Sequence, residues 1–516
     1  MIKCYHHFNE PSENINPHEN LILKRGMSMF KKNFLLSRVV LVFLAIYCLV
    51  FTLALAANTG SAVTTHLTIL YDNDLHGQLL PFTGLIDNTN SGVNIGGAAR
   101  RAYLMKKFKT ENPNTLIFNQ GDIMHGCCLI SPLFQGSADL DMFEKMPYDA
   151  MVIGNHDVDY SVATLRHFIK TGSKPILSAN LFNDDSSLFA KAYIIKNVGG
   201  LKIAIIGLSP SIRAEGIHSG DPATILAGYM PELKKQADSI IAITHIGEST
   251  DVNLAQKVSG IDVIVGGHSH TKIDAYEKSG NTIIVQDFLY GMFLGKLDLT
   301  IVNKKIVDQK AALIPVNGSV PDDPETAAYF RKYSDKVSIV AAKSDNIVEG
   351  AELANLLCKA SRESLNTDIA LQSPISLGSF MGASDSLPKG NITYNDIYAV
   401  FYRSSKISVY EVPGDLVQQI LYASGSTAVC GATFNIVSGK AENIQIGGKP
   451  LDLSKTYTIA AVGSGSSSRG GRGGGGGGGL SGLLQQAKLV RTTDKIQREI
   501  LIDYLKDHPV IKVSSK

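Results

Sequence analysis

Five short segments concentrate the residue types that hold divalent cations: Asp72-Asn73-Asp74-Leu75-His76-Gly77, Gly121-Asp122, Gly154-Asn155-His156-Asp157, Thr244-His245 and Gly266-Gly267-His268-Ser269-His270. Carboxylate and imidazole donors together suit Zn²⁺, Mn²⁺ or Fe²⁺. Each segment alone has a plainer reading. A Gly-Asp after a strand is commonly a turn, and Thr-His fits a satisfied buried histidine. His268 and His270 fall on one side of an extended segment, because side chains alternate along a strand. The five together say more than any one of them. A carboxylate can bridge two ions, and two ions about 3.5–4 Å apart can clamp an in-line displacement at phosphorus. The neighbouring glycines permit the tight turns that point side chains at a common centre. Asp72 and Asp157 flank these motifs and read as structural. His125 and Cys127 follow Gly121-Asp122 closely and read as packing or supporting residues.

The elements that must position these residues are legible as short β-branched runs bounded by Gly, Asn or Asp. They fall at 66–71, 115–118, 150–153, 175–178, 202–206, 239–243, 263–265 and 282–285, with helical stretches such as 97–109 and 162–170 between them. Continuous apolar runs alternating with helices predict α/β layers with strands buried on both faces. Each of the five motifs follows one of these strands, and ligands of open α/β sheets gather beyond the carboxyl ends of strands. One rim is therefore expected to carry all five.

In order and wording the motifs resemble the signature of the calcineurin-like metallophosphoesterases. Residues 68–78 (TILYDNDLHGQ), 96–100 (GGAAR), 154–159 (GNHDVD) and 285–295 (VQDFLYGMFLG) narrow the likeness to the 5′-nucleotidase and UDP-sugar hydrolase branch. The resemblance spans about 64–516 and is tighter in the first half. It implies a four-layer αββα catalytic sandwich at 64–320, a linker helix at 321–345, and a second α/β substrate-recognition domain at 346–516. It further implies two divalent metal ions, zinc, manganese or similar. Asp74, His76 and His270 would hold one ion, Asn155, His245 and His268 the other, and Asp122 would bridge them. His156 would stabilise charge on the phosphoryl group, oriented by Asp159. An imidazolium beside a pentavalent phosphoryl is chemically apt for that task, and a carboxylate behind a histidine fixes its tautomer. The plainer reading of Asp159 is an N-cap for the following helix. The implied activity is hydrolysis of nucleoside 5′-monophosphates to nucleoside and phosphate by a metal-bridging hydroxide. Two alternatives keep the chemistry and change the substrate: a 2′,3′-cyclic nucleotide phosphodiesterase or a UDP-sugar hydrolase. A third is a secreted binding protein with weak or lost turnover.

In the second half, residues 390–400 (GNITYNDIYAV), 413–421, 431–439 (GATFNIVSG) and 455–460 (KTYTIA) are similar to the 5′-nucleotidase C-terminal domain. Phe434 matches one of two aromatics that sandwich the base in that family; it reads equally as a core residue of a strand. Aromatic stacking on a base is tolerant of base identity. Three family features are missing. After Asp368-Ile369-Ala370-Leu371 the family carries Asn, a glycine run and a phosphate-gripping Arg, whereas this chain has Gln372-Ser373-Pro374-Ile375-Ser376-Leu377. An Arg is also missing ahead of Glu349. The turn that would bring the second aromatic is replaced by a tract with twelve glycines in residues 463–482, which reads as a flexible loop. Arg403 is the candidate to restore positive charge to the substrate site, with Arg469 and Arg472 behind it.

The chain has 516 residues and a formal net charge of +2. Six basic and three acidic residues fall within 1–56, so the remainder sits near −1 and lacks the electrostatic footprint of a nucleic-acid polymer binder. Lys31, Lys32 and Arg38 precede an uncharged apolar run that ends in Ala54-Leu55-Ala56. This is the pattern of a secretory signal peptide, with Met27 or Met29 as alternative starts. An exported protein, periplasmic or secreted, is expected, with membrane contact only if the leader is retained. Cys127, Cys128, Cys358 and Cys430 follow the leader, and export permits disulfides whose pairing the spacing does not settle.

Overall fold

The computed structural model describes residues 38, 41–49, 63–85, 91–125, 128–373, 386–400, 406–462 and 479–512. Most of the expected leader, Cys127, Arg403, Arg469, Arg472 and nearly all of the glycine tract lie outside these residues. The chain divides into two units, Met1–Thr64 and Thr65–Lys516. Among the described residues no helix is long and apolar enough to cross a membrane.

Two six-stranded sheets build the first half of the large unit. One has the order Lys305–Pro315, Phe293–Val302, Thr64–Asp72, Thr115–Asn119, Ala150–Val152, Ile176–Leu177; the other runs Glu277–Ser279, Thr282–Val285, Val263–Val265, Ser239–Thr244, Leu201–Leu208, Tyr193–Val198. The central strands of both are parallel, as continuous apolar runs demand. Period-two alternation divides each strand between two cores. Leu67, Ile69, Tyr71, Leu116 and Phe118 face Ile203, Ile205, Ile241, Ile243, Val263 and Val265 between the sheets. Leu70, Ile117 and Met151 face outward onto Ala102 and Met105 of the helix Ala98–Glu111. On the far side Ala204, Ile206, Ala242 and Ile264 meet Leu226, Met230 and Leu233 of the helix Pro222–Gln236. Helix, sheet, sheet and helix thus form the expected four layers. The antiparallel edge strands Tyr193–Val198, Glu277–Ser279 and Lys305–Pro315, the last paired with Phe293–Val302, go beyond the sequence reading, and they make both sheets mixed.

The helix Pro324–Val337 opens the second half, capped by Asp323, whose side chain accepts from the Thr326 amide. It is docked on the first half. The Asp141 carboxylate accepts from Tyr329, Tyr333 and Lys332 at 2.6, 2.5 and 2.9 Å. One core cluster runs from Leu70 and Ile117 through Phe330 and Val337 to Leu353, Leu357 and Leu501. Beyond it lies a five-stranded sheet in the order Ala428–Cys430, Ile369–Gln372, Thr456–Val462, Lys406–Pro413, Lys488–Ile496. The helices Gly350–Leu365 and Gly414–Ala423 pack in this half, and a small sheet built on Ala432–Val437 and Lys440–Ile446 lies beside it.

Candidate metal centre

All five motifs emerge at the carboxyl ends of their strands. Asp74 and His76 follow Thr64–Asp72, Asp122 follows Thr115–Asn119, and Asn155 follows Ala150–Val152. From the second sheet, His245 follows Ser239–Thr244, and His268 and His270 follow Val263–Val265. The strands within each trio or pair are neighbours, so the side chains meet where the two sheets abut.

The expected ligands form two groups. Asp74, His76 and His270 offer donor atoms within 4.8 Å of one another, as do Asp122, His245 and His268. In the first, the Nε2 atoms of His76 and His270 lie 3.1 Å apart and 3.6 and 3.2 Å from Asp74 Oδ1. In the second, His245 Nε2 lies 3.0 Å from Asp122 Oδ2 and 3.8 Å from Asp74 Oδ1, so the groups adjoin. Ligands about 2.0–2.2 Å from one ion stand roughly 3–4 Å from each other. Asn155 Oδ1 is buried with no hydrogen-bond partner, which suits an oxygen reserved for a cation, since buried polar atoms are otherwise paired. The residues present therefore fit divalent metals.

Supporting contacts orient these donors. His245 Nδ1–H donates to the Gln120 carbonyl at 2.5 Å, leaving Nε2 facing Asp122. Asp74 Oδ2 accepts from Asn73 Nδ2 at 2.7 Å and from the His268 amide at 2.8 Å. Asp157 accepts from the backbone amides of Asp122, Ile123 and Gly154 at 3.0, 2.9 and 2.8 Å, clamping two motifs together. Asp72 accepts from Tyr148 and Asn119 and faces the fully buried Arg101 at 3.8 Å. Burial pulls His245 down, but the carboxylates of Asp122 and Asp74 overrule it and hold the imidazole up at about 10. The same carboxylate charge would hold a divalent cation, which displaces that proton where Nε2 serves as a ligand. Burial dominates at His76 and His268 and holds both low.

Asp74, His76, Asp122, His268 and His270 all have φ between 48° and 79°. Side chains other than glycine rarely adopt that left-handed region, and such strain gathers at functional sites. Gly154 is needed for a different reason: a Cβ there would overlap Asp122 Oδ1 and stand 2.5 Å from the Asp122 amide nitrogen. Gly154→Ala is therefore expected to displace the Asp122 carboxylate, costing about 2 kcal/mol in urea unfolding. Hydrolysis should fall by more than about tenfold, since small misplacements at a reacting centre are costly.

His156 begins a short 3-10 turn beside this rim. Its Nδ1 lies 2.7 Å from Asp159 Oδ2, and its backbone N–H donates to Asp122 Oδ1 at 2.7 Å. The following helix, Val162–Thr171, is capped by Ser161, so the Asp159 side chain is given to His156 and not to the cap. Burial lowers His156, but its bond to Asp159 and the charges of Asp122, Asp159 and Asp157 raise it overall. His125 stands against the same pair, its ring centroid 4.1 Å from that of His156. His125, His156 and Asp159 thereby make a third, more open cluster of donors at the edge of the rim. Phe434 is half-buried in the strand Ala432–Val437 and packs on the core that holds Leu416, Ile420 and Ile446. Gln120 and Asn73 are supporting residues that the sequence reading misses. Asn73 lies inside a motif, but Gln120 acts through a carbonyl that any residue would supply.

The fold and the metal-binding rim define a calcineurin-like phosphoesterase. Residues 67–272 match the family model for the calcineurin-like phosphoesterase, and residues 334–471 match that for the 5′-nucleotidase C-terminal domain. A 5′-nucleotidase of Diplobatis ommata is 26% identical over 422 residues, covering 71% of this chain and 72% of its own. The trifunctional nucleotide phosphoesterase YfkN of Bacillus subtilis is 25% identical over 446 residues, 74% of this chain and 29% of that longer protein. The crystal structure of a 5′-nucleotidase precursor from Thermus thermophilus shares the fold, with a TM-score of 0.59 at 22% identity over 88% of this chain and 98% of that one. The chain is a metal-dependent phosphoester hydrolase of the 5′-nucleotidase family, its catalytic sandwich followed by the family's C-terminal domain.

Proposed function

We propose that this protein is an exported two-metal phosphohydrolase that cleaves nucleoside 5′-monophosphates to nucleoside and phosphate. The observation that carries this reading is the adjoining pair of three-donor groups with the His156–Asp159 pair beside them. Bound divalent ions supply Lewis-acid polarisation and a water acidic enough to act as nucleophile near neutral pH. The chain's own residues do the rest. Asp74, His76 and His270 hold one site, Asn155, His245 and His268 the other, and Asp122 lies between them. His156, kept in one tautomer by Asp159, donates to the phosphoryl oxygens as charge builds on them. Phe434 stacking on the base rests on the family resemblance alone, and Arg403, outside the described residues, is proposed only as a substitute for the family's missing phosphate-gripping Arg. Export rests on the charge and hydropathy pattern of residues 1–56.

A second reading keeps the same centre and broadens the substrate to cyclic nucleotides or UDP-sugars. It is favoured by the missing Arg after Leu371 and by the description of the Bacillus subtilis relative as trifunctional. Metal analysis of the purified protein, coupled to hydrolysis of AMP, a 2′,3′-cyclic nucleotide and UDP-glucose, decides between them. The first reading expects two metal equivalents and AMP turned over with the highest kcat/KM. A preference of about tenfold or more for either other substrate transfers the assignment.

A further inference from the structure

We propose that Cys358 and Cys430 form a redox pair: an intramolecular disulfide site joining the helix Gly350–Leu365 to the edge strand Ala428–Cys430. Both are unbridged thiols in the structure. Cys358 is fully buried, its Sγ 3.2 Å from the Ala370 carbonyl and 3.4 Å from the Ala428 carbonyl. Those two carbonyls belong to the antiparallel ladder in which Cys430 stands opposite Ala370. Side chains two apart on a strand share a face. Ala428 and Cys430 accordingly both pack on the small cluster that contains Cys358. From its side Cys430 Sγ reaches to 3.9 Å from the carbonyl of Asn355, one helical turn before Cys358. The thiols thus converge from helix and strand.

The pair is chemically asymmetric, as attacking and resolving thiols are. The neighbouring Cys430 and burial raise Cys358. Cys430 is half-exposed, and the neighbouring Cys358 with the charges of Lys359 and Arg362 holds it low against the effect of burial. A lowered, accessible thiol is the reactive one. The oxidant is an external disulfide, as in oxidised glutathione. Cys430 thiolate attacks one of its sulfurs, forming a mixed disulfide and releasing one thiolate. Cys358 then gives up its proton, attacks Cys430 Sγ and releases the second thiolate, so two protein thiols are oxidised and one disulfide is reduced to two thiols. Gly431 links Cys430 directly to the strand carrying Phe434, so the bridge would anchor the start of that strand to the helix.

The test treats the full-length protein with oxidised glutathione or with dithiothreitol, caps remaining thiols with N-ethylmaleimide, digests it and analyses the peptides by mass spectrometry. The expected result is a disulfide-linked peptide pair containing Cys358 and Cys430, with the thiol titre falling by two. Oxidation should also raise Tm by several degrees, because a bridge closing a long loop restricts the unfolded chain. Cys430→Ser, a half-exposed position, should fold and show neither change. Full capping of both cysteines after oxidation, or recovery of Cys430 linked only to glutathione or to another cysteine, overturns the proposal.

Discussion

Asp122→Ala is expected to lower kcat/KM by roughly 10⁴-fold or more and to leave the protein depleted of bound metal. The carboxylate is where the two donor groups adjoin. Its Oδ2 lies 3.0 Å from His245 Nε2, and its Oδ1 receives the His156 backbone N–H at 2.7 Å. Alanine removes a donor from the Asp122, His245 and His268 group and strips the fully buried His245 of its nearest negative charge. It also frees the turn that carries His156. Because Asp122 sits at φ 51°, alanine adds backbone strain as well, and Asp122→Asn separates these causes. Asparagine tolerates the left-handed region and keeps the shape while deleting the charge. It should escape the backbone strain and so unfold at higher urea than Asp122→Ala, yet still lose metal, measured by elemental analysis, and most of its activity. An Asp122→Asn protein with two metal equivalents and undiminished turnover would remove Asp122 from its bridging role.

That this carboxylate can be singled out from the sequence at all reflects how parallel strands are encoded. Strands buried on both faces read as continuous apolar runs. The run 115–118 therefore matches the observed strand Thr115–Asn119 to within a residue, and the polar Gly121-Asp122 just past its end stands out. The same logic places the other four motifs. The half-buried edge strands are harder to read. Tyr193–Val198 and Lys305–Pro315 carry lysines and partly exposed positions, so their pattern matches no clean run. The antiparallel pairing that makes the sheets mixed depends on contacts far away in the chain. Within the site, residue types are legible and backbone conformation is not. Nothing in the letters of His76 or His268 announces a positive φ, because that strain is held by hydrogen bonds such as His76 N–H to the Asp122 carbonyl. Asp157 reads as structural from its place beside the motif, but its grip on three amides from two different loops is a tertiary property. In the second half, Phe434 reads equally as base platform and core residue. Its half-buried place on the C-terminal core shows why the sequence alone does not decide.

His156→Ala tests the other half of the centre and should give the opposite pattern: turnover lost, metals kept. The His156 side chain stands outside the two groups built on Asp74 and Asp122. It pairs with Asp159 at 2.7 Å, and only its backbone N–H touches Asp122. Alanine preserves that N–H, so the metal-holding turn should survive. On the proposed reading, what disappears is a donor to the charge that develops on the phosphoryl group during the reaction. Removing one such donor typically costs about 10²–10³-fold in kcat. The loss should fall mainly on kcat with KM little changed, because the ground-state phosphate gains less from the imidazole than the transition state does. Asp159→Asn should lie between wild type and His156→Ala, since it keeps a hydrogen-bonding partner but weakens the hold on the ring's tautomer and orientation. The double variant should be no worse than His156→Ala alone if Asp159 acts only through His156. Elemental analysis of His156→Ala should still find two metal equivalents. Their loss would make His156 a ligand or an essential support of one, and additive losses in the double variant would give Asp159 a role of its own.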